Sequence, residues 1–162
     1  MIVVSDTSPI SSLYLIGQLN LLPTVFGKII VPHKVMEELT VLETGFGHDL
    51  SALKTAPWLE VRTAGDVKES ARLAQFIDAG ESEAIVLAKE LHADYLLIDD
   101  KQGREAAVSE GLKTIGVLGV FMLAKQSGLI AAVRPLMDDL RSKAKFRIHE
   151  NLYRQVLRQV GE

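Results

Sequence analysis

Short apolar runs rich in β-branched residues recur along the chain, and each is followed by a stretch with helical spacing. IVVS (2–5), KIIVP (28–32), YLLID (95–99) and LKTIG (112–116) read as strands, and LEVRT (59–63), after Pro57, as a candidate fifth. Strands this short and this apolar are buried on both faces. Between them lie helical patterns. SPISSLYLIG has Pro9 in its first turn and Gly17 at its end. HKVMEELTVL (33–42) follows, then a loop at TGFGHD (44–49). DVKESARLAQFIDA (66–79) and ESEAIVLAKELHA (81–93) are separated by Gly80, and 101–110 ends at Gly111. VLGVFMLAKQSG, AAVRPLMDDLRSKA and ENLYRQVLRQV make three further helices, the last with Leu152, Val156 and Val160 four apart, for core packing or else for a dimer or partner contact. Alternation of this kind predicts a three-layer α/β/α fold, with a central parallel sheet of four to five short strands.

At 162 residues and 48% hydrophobic, the chain is expected to form one domain over 1–162. It has no cysteine, which excludes disulfides and thiolate metal sites and fits a reducing cytosol. Asp6 and Pro9 interrupt the first twenty residues, which do not read as a signal peptide. The longest apolar stretch, Gly116 to Ala124, is far below the roughly 18 residues of a membrane span. A cytoplasmic protein without membrane association is therefore expected. The net charge of −3 is uneven. Residues 1–100 hold 7 Lys+Arg against 15 Asp+Glu, and residues 101–162 hold 11 against 6. An acidic part can hold a cation and a basic part can meet a polyanion; solvated helix faces are the plainer explanation.

The acids are placed unusually. Asp6 closes the first strand, and Asp99 and Asp100 close YLLI, at the carboxyl ends where parallel sheets bind ligands. At about 100° per residue, Glu38 falls on the edge of the arc of Val35, Leu39 and Leu42, and Glu37 falls opposite. By the same phasing Glu81 lies on the apolar face of Ala84, Leu87, Ala88 and Leu91, and Glu83 lies away from it. Each has an ordinary explanation: a helix cap for Asp6, a preference for helix N-termini for Glu81, an ion pair for Glu38, turn chemistry for Asp99 and Asp100. Gathered together, they repel unless some are protonated or a cation sits among them. Hard oxygen ligands with neither Cys nor clustered His point to Mg²⁺ or Mn²⁺.

In order and spacing, SDTS, VPHKVMEEL, GESEAIVLA, LLIDDKQGR and GVLGVFMLAKQSGLI resemble the PIN-domain nucleases. The GE-x-EA and DDK-x-GR forms are similar to the prokaryotic branch near VapC-type toxins. The resemblance, from residue 2 to about 160, implies Mg²⁺- or Mn²⁺-dependent cleavage of RNA phosphodiesters by a toxin that dimerises and is held by a small antitoxin. It matches Asp6, Glu38 and Glu81 to the first three catalytic acids, although many relatives have Asp at the third. It places the fourth in Asp99–Asp100, with Asp100 as ligand and Asp99 in support. Asp6, Glu81, Asp99 and Asp100 would hold the metal. Ser8 matches a small polar position that supports the first Asp; Ser8, Lys101 and Arg104 are the candidate contacts for a substrate phosphate, with plain solvation the alternative for the two cations. Two rivals stand beside this reading. A haloacid-dehalogenase-like phosphatase needs an Asp where Ser8 stands, and a catalytically inactive PIN-like RNA-binding scaffold would need no metal.

Overall fold

The computed structural model describes residues 1–162, the side chain of Phe46 excepted. Five parallel strands form one sheet: β1 (Val3–Ser5), β2 (Ile29–Pro32), β3 (Leu59–Arg62), β4 (Tyr95–Leu97) and β5 (Thr114–Ile115), in the order β3-β2-β1-β4-β5. The chain winds outward from β1 through β2 to β3, then returns to lay β4 on the other side of β1. The carboxyl ends of β1 and β4 therefore flank the switch point, where the connections leave in opposite directions and open a crevice. Val3 pairs with Tyr95 and Ser5 with Leu97. The Asp6 N–H extends the ladder to the Leu97 carbonyl at 2.9 Å. Asp6 thus comes level with Ile98, and Asp99 follows directly.

Ten helices cover the sheet: α1 (Thr7–Leu15), α2 (Leu21–Phe26), α3 (His33–Phe46), α4 (Ser51–Lys54), α5 (Val67–Leu73), α6 (Ala79–Glu90), α7 (Lys101–Ser109), α8 (Val117–Gln126), α9 (Arg134–Lys143) and α10 (Glu150–Gln159). Strand residues alternate between two cores, as the period of two requires. Val3, Ile29, Val31 and Leu97 face one core with Ile10, Leu13, Val35, Leu39 and Phe121. Val4, Ile30, Leu96 and Ile98 face the other with Leu73, Ala84, Ile85 and Ala107. The expected three-layer arrangement is the one observed.

Four local expectations are corrected. The helix from His33 does not give way to a loop at Thr44; it runs on to Phe46 and ends at Gly47, whose φ of 70° is the left-handed geometry glycine adopts without strain. Helices α2 and α4 were not foreseen, since six and four residues are too few to show a period. Gly80 does not separate two helices. Helix α5 stops at Leu73, and α6 starts at Ala79 because Asp78 caps it. The last helix buries Tyr153, Val156 and Leu157, whereas Leu152 is 42% exposed; spacing of three and four makes a wider face than a stripe of fours. Among the described residues no helix is long and apolar enough to cross a membrane.

Candidate metal centre

Asp6, Glu38 and Asp78 each offer a carboxylate oxygen, and these oxygens lie within 4.8 Å of one another. Three elements deliver them. Asp6 ends β1, Glu38 projects from the second turn of α3, and Asp78 stands at the N-cap of α6. Asp6 is 2% exposed, Glu38 is half-buried and Asp78 is exposed, so the group grades from the sheet rim to solvent. The Thr7 hydroxyl donates to Glu38 Oε2 and orients that carboxylate.

Glu81, Asp99 and Asp100 surround this triad in different ways. Buried Glu81 turns its carboxylate back on its own helix: Oε2 accepts the Asp78 N–H at 3.3 Å, while Asp78 Oδ1 accepts the Glu81 N–H at 2.8 Å. The pair is a capping box. Asp99 Oδ1 accepts the Val117 N–H at 3.0 Å, and its Oδ2 is buried with no hydrogen-bond partner. Asp100 is exposed, and its Oδ2 caps α7 by accepting the Gly103 N–H at 3.0 Å. Of the other two acids, Glu37 is exposed as its phasing requires, whereas Glu83 is half-buried. Glu37 pairs with Lys34 at 3.3 Å, and Glu83 accepts the Lys34 N–H at 3.3 Å, outside the cluster.

Two glycines of the sequence motifs make room for these carboxylates. A Cβ on Gly80 would lie 2.5 and 2.6 Å from the two Glu38 oxygens. A Cβ on Gly103 would lie 2.7 Å from Ile98 Cδ1 and 3.0 Å from Glu81 Cδ. Glycine here serves close approach, since neither residue has a positive φ. The result is that the N-terminal ends of α1, α6, α7 and α8 all open onto the rim with acids against them. Their first-turn N–H groups and partial positive charge offset part of the cost of gathering anions.

Only part of it is offset. Burial, opposed by a hydrogen bond from the Thr7 N–H and reinforced by Asp78, Glu38 and Asp99, pushes the Asp6 carboxyl up to about 7. Burial, then the charges of Asp78, Asp6 and Asp100, pushes Glu81 up to about 8. Asp99 is pushed by burial to about 6, with the Val117 N–H and Arg104 pulling the other way. Glu38 is also raised, again by burial, against the Thr7 hydroxyl. No salt bridge reaches any of these acids among the described residues.

The expected phosphate contacts are placed less directly. Ser8 does not join the group. Because α1 begins at Thr7, Ser8 lies a further 100° or so around the helix, exposed, with its carbonyl accepting the Ser11 hydroxyl at 3.1 Å. The hydroxyl at the site is that of Thr7. Arg104 donates to the Asp99 carbonyl at 2.8 Å, and Lys101 is exposed in the first turn of α7. Asp78 is the site residue that pattern reading missed. Its signal was legible as D-A-G-E, an acid three residues before Glu81 at the start of an apolar-periodic run.

A family model described as a PIN domain matches residues 2–162. No curated protein and no solved structure matches the chain. With its five-stranded parallel sheet and its acids collected at the β1–β4 rim, the chain belongs to the PIN-domain family.

Proposed function

We propose that this chain, acting as one PIN-like domain, is a ribonuclease dependent on Mg²⁺ or Mn²⁺. The observation that carries the reading is the meeting of Asp6, Glu38 and Asp78 oxygens within 4.8 Å at the switch point; Asp99, near enough to raise the Asp6 carboxyl, keeps a buried, unpartnered Oδ2 outside that group. A divalent ion fits this donor set: every ligand is a hard oxygen, and the orphaned Asp99 oxygen needs a partner. Asp6, Glu38, Asp78 and Asp99 would hold the ion. Asp100 and Glu81 act through helix caps that fix the positions of the others. Bound there, such an ion supplies an activated water and neutralises charge on the phosphoryl oxygens. The chain's own residues supply positioning. Thr7 aims Glu38, Gly80 lets it approach α6, and Arg104 holds the Asp99 peptide. Lys101, exposed in the first turn of α7 and in no ion pair among the described residues, would be available to a substrate phosphate.

RNA as substrate, the toxin role, a small antitoxin partner, a homodimer and a cytoplasmic setting follow from the resemblance to the VapC-type branch and from the absence of cysteine. The test is cleavage of single-stranded and structured RNA with EDTA, then with Mg²⁺ or Mn²⁺ restored. Wild type is expected to cut only with the ion, and Asp6→Asn to lose activity by about 100-fold or more. Hydrolysis of small phosphomonoesters with all RNA left intact would overturn the reading in favour of a phosphatase.

A further inference from the structure

The basic excess of the C-terminal part has a place in the fold that the acidic rim does not use. Residues 134–158 hold 7 Lys+Arg against 3 Asp+Glu. Each of the three acids is already engaged. Asp138 accepts the Tyr153 hydroxyl at 2.7 Å, Asp139 pairs with Lys143 at 3.3 Å, and Glu150 pairs with Arg141 at 3.4 Å and Arg154 at 3.7 Å. Lys145 and Arg147, on the connector between α9 and α10, are exposed and have no ion pair among the described residues.

The connector is built rather than loose. Lys145 has φ 51°, a left-handed conformation that a side chain disfavours, and the Phe146 N–H closes on the Leu140 carbonyl at 3.0 Å. The Arg141 guanidinium lies 4.2 Å over the Tyr153 ring and donates to the Ile148 carbonyl at 2.7 Å. These contacts hold open a groove of about 490 Å³, lined by Arg141, Lys145, Phe146, Arg147, Ile148 and His149. Phe146 is half-buried against the main core, and its remaining surface lies between the exposed Lys145 and Arg147; phosphates can pair with such cations while a base meets the exposed part of the ring.

The groove and the rim have no residue in common. Helix α8 leaves the rim at Val117 and ends near Lys125, which pairs with Glu162 at 2.8 Å. Glu162 also accepts the Val133 and Arg134 N–H groups, so α9 starts and α10 ends at that knot. The connector lies one helix away from it, about 15 Å for ten residues.

We propose that the α9–α10 connector groove binds the phosphate backbone of single-stranded RNA outside the acidic rim, with Lys145 and Arg147 as the phosphate contacts and Phe146 as a stacking surface. The choice of RNA rests on the nuclease reading above. The groove would set substrate preference by length: a strand that reaches from the rim into it gains affinity, and a dinucleotide does not.

The experiment compares wild type with Lys145→Gln/Arg147→Gln, both exposed positions, with folding checked by thermal melts. Binding of a labelled single-stranded oligoribonucleotide is read by anisotropy in EDTA across a salt series. The double variant should bind about 10-fold more weakly, and its log–log salt slope should shrink by about 1.4, at roughly 0.7 per lost phosphate contact. With Mn²⁺ present, KM for long RNA should rise while cleavage of a dinucleoside monophosphate is unchanged. Phe146→Leu, which keeps the apolar packing, should weaken RNA binding but not heparin binding. An unchanged affinity and slope in the double variant would overturn the proposal, as would tighter binding of polyglutamate than of RNA by wild type. Wild type that binds RNA through these residues but cuts none with Mg²⁺ or Mn²⁺ would sink the nuclease reading alone.

Discussion

Helix α6 carries acids and their surroundings of two opposite kinds at its two ends. At its start, Asp78 and Glu81 join Asp6, Glu38 and Asp99 with no cation paired to any of them, and Asp6, Glu38, Glu81 and Asp99 are raised. Near its other end, Lys89 meets Glu110 at 2.6 Å and Glu69 at 3.5 Å, and Arg72 bridges the same two glutamates at 2.5 and 2.6 Å. There the hydrogen bonds from Arg72 and Lys89 hold Glu69 down at about 2 and lower Glu110 as well. The second group is a solvated network, complete within the chain. The first is incomplete within the chain, and evolution of stability alone would have placed a lysine or an apolar residue there. An acid cluster with no salt bridge to any of its members fits a bound cation.

The largest expected effect separates the two acids after β4. Asp99→Asn should reduce Mn²⁺-dependent RNA cleavage by about 100-fold or more, because it removes a buried, unpartnered oxygen from the rim. Asp100→Asn keeps an oxygen that can cap α7, and should cost less than about 10-fold. The reverse ranking, measured in one steady-state assay, would return Asp100 to the ion.

Next in size is Gly80→Ala. In an exposed helix this change adds up to about 1 kcal/mol of stability. Here the added methyl group would strike the Glu38 carboxylate, so melting temperature should fall and Mn²⁺ affinity by calorimetry should weaken by about 10-fold or more. A more stable protein with unchanged affinity would show that the Glu38 position is not tied to α6.

Stability against pH sharpens the contrast further. Asp6, Glu81 and Asp99 stand at about 7, 8 and 6 when folded, against 3.8, 4.5 and 3.8 ordinarily. The folded chain thus holds more protons than the unfolded one between these limits. The rim's contribution is full below about pH 4 and is lost as pH rises through 6 to 8. Metal-free protein should melt lower at pH 8 than at pH 5, and Asp6→Asn should flatten that slope. Saturating Mn²⁺ should reverse the trend, adding about 2.7 kcal/mol at 100 times Kd. Metal-free melting that rises between pH 5 and 8 would count against unpaired carboxylates at the rim.

The smallest effect belongs to the paired end. Glu69 has its carboxyl lowered, so its contribution is present above its ordinary value of 4.5 and is lost as pH falls towards 2. Arg72→Gln should lower the melting temperature only slightly in dilute buffer, with the difference vanishing near 1 M salt. Cleavage should not change. A loss of cleavage would mean that the two ends of α6 are coupled.

Periodicity made much of this legible. The β-branched apolar runs at 2–5, 28–32 and 95–99 read as buried strands, and the pleat of those strands puts Val3 and Val4, and Leu97 and Leu96, on opposite faces. The 3.6-residue period likewise turned Glu38 and Glu81 inward and Glu37 outward. These are local properties, since a side chain's direction follows from its own backbone. Asp78 escaped because Gly80 was read as a break, and a glycine's reason for being there lay in Glu38, forty-two residues earlier in the chain.

The sequence by itself determined that the strands are parallel, that acids stand at their carboxyl ends and that the candidate ligands are oxygens. Tertiary structure alone decided which oxygens meet. Strand order put β4 beside β1, so Asp6 and Asp99 share a crevice, and helix capping drew Glu81 and Asp100 back onto their own backbones. The reason is physical: a residue's face is set within a few bonds of it, but its neighbours across a sheet are set by how connections of twenty residues and more close around a common core.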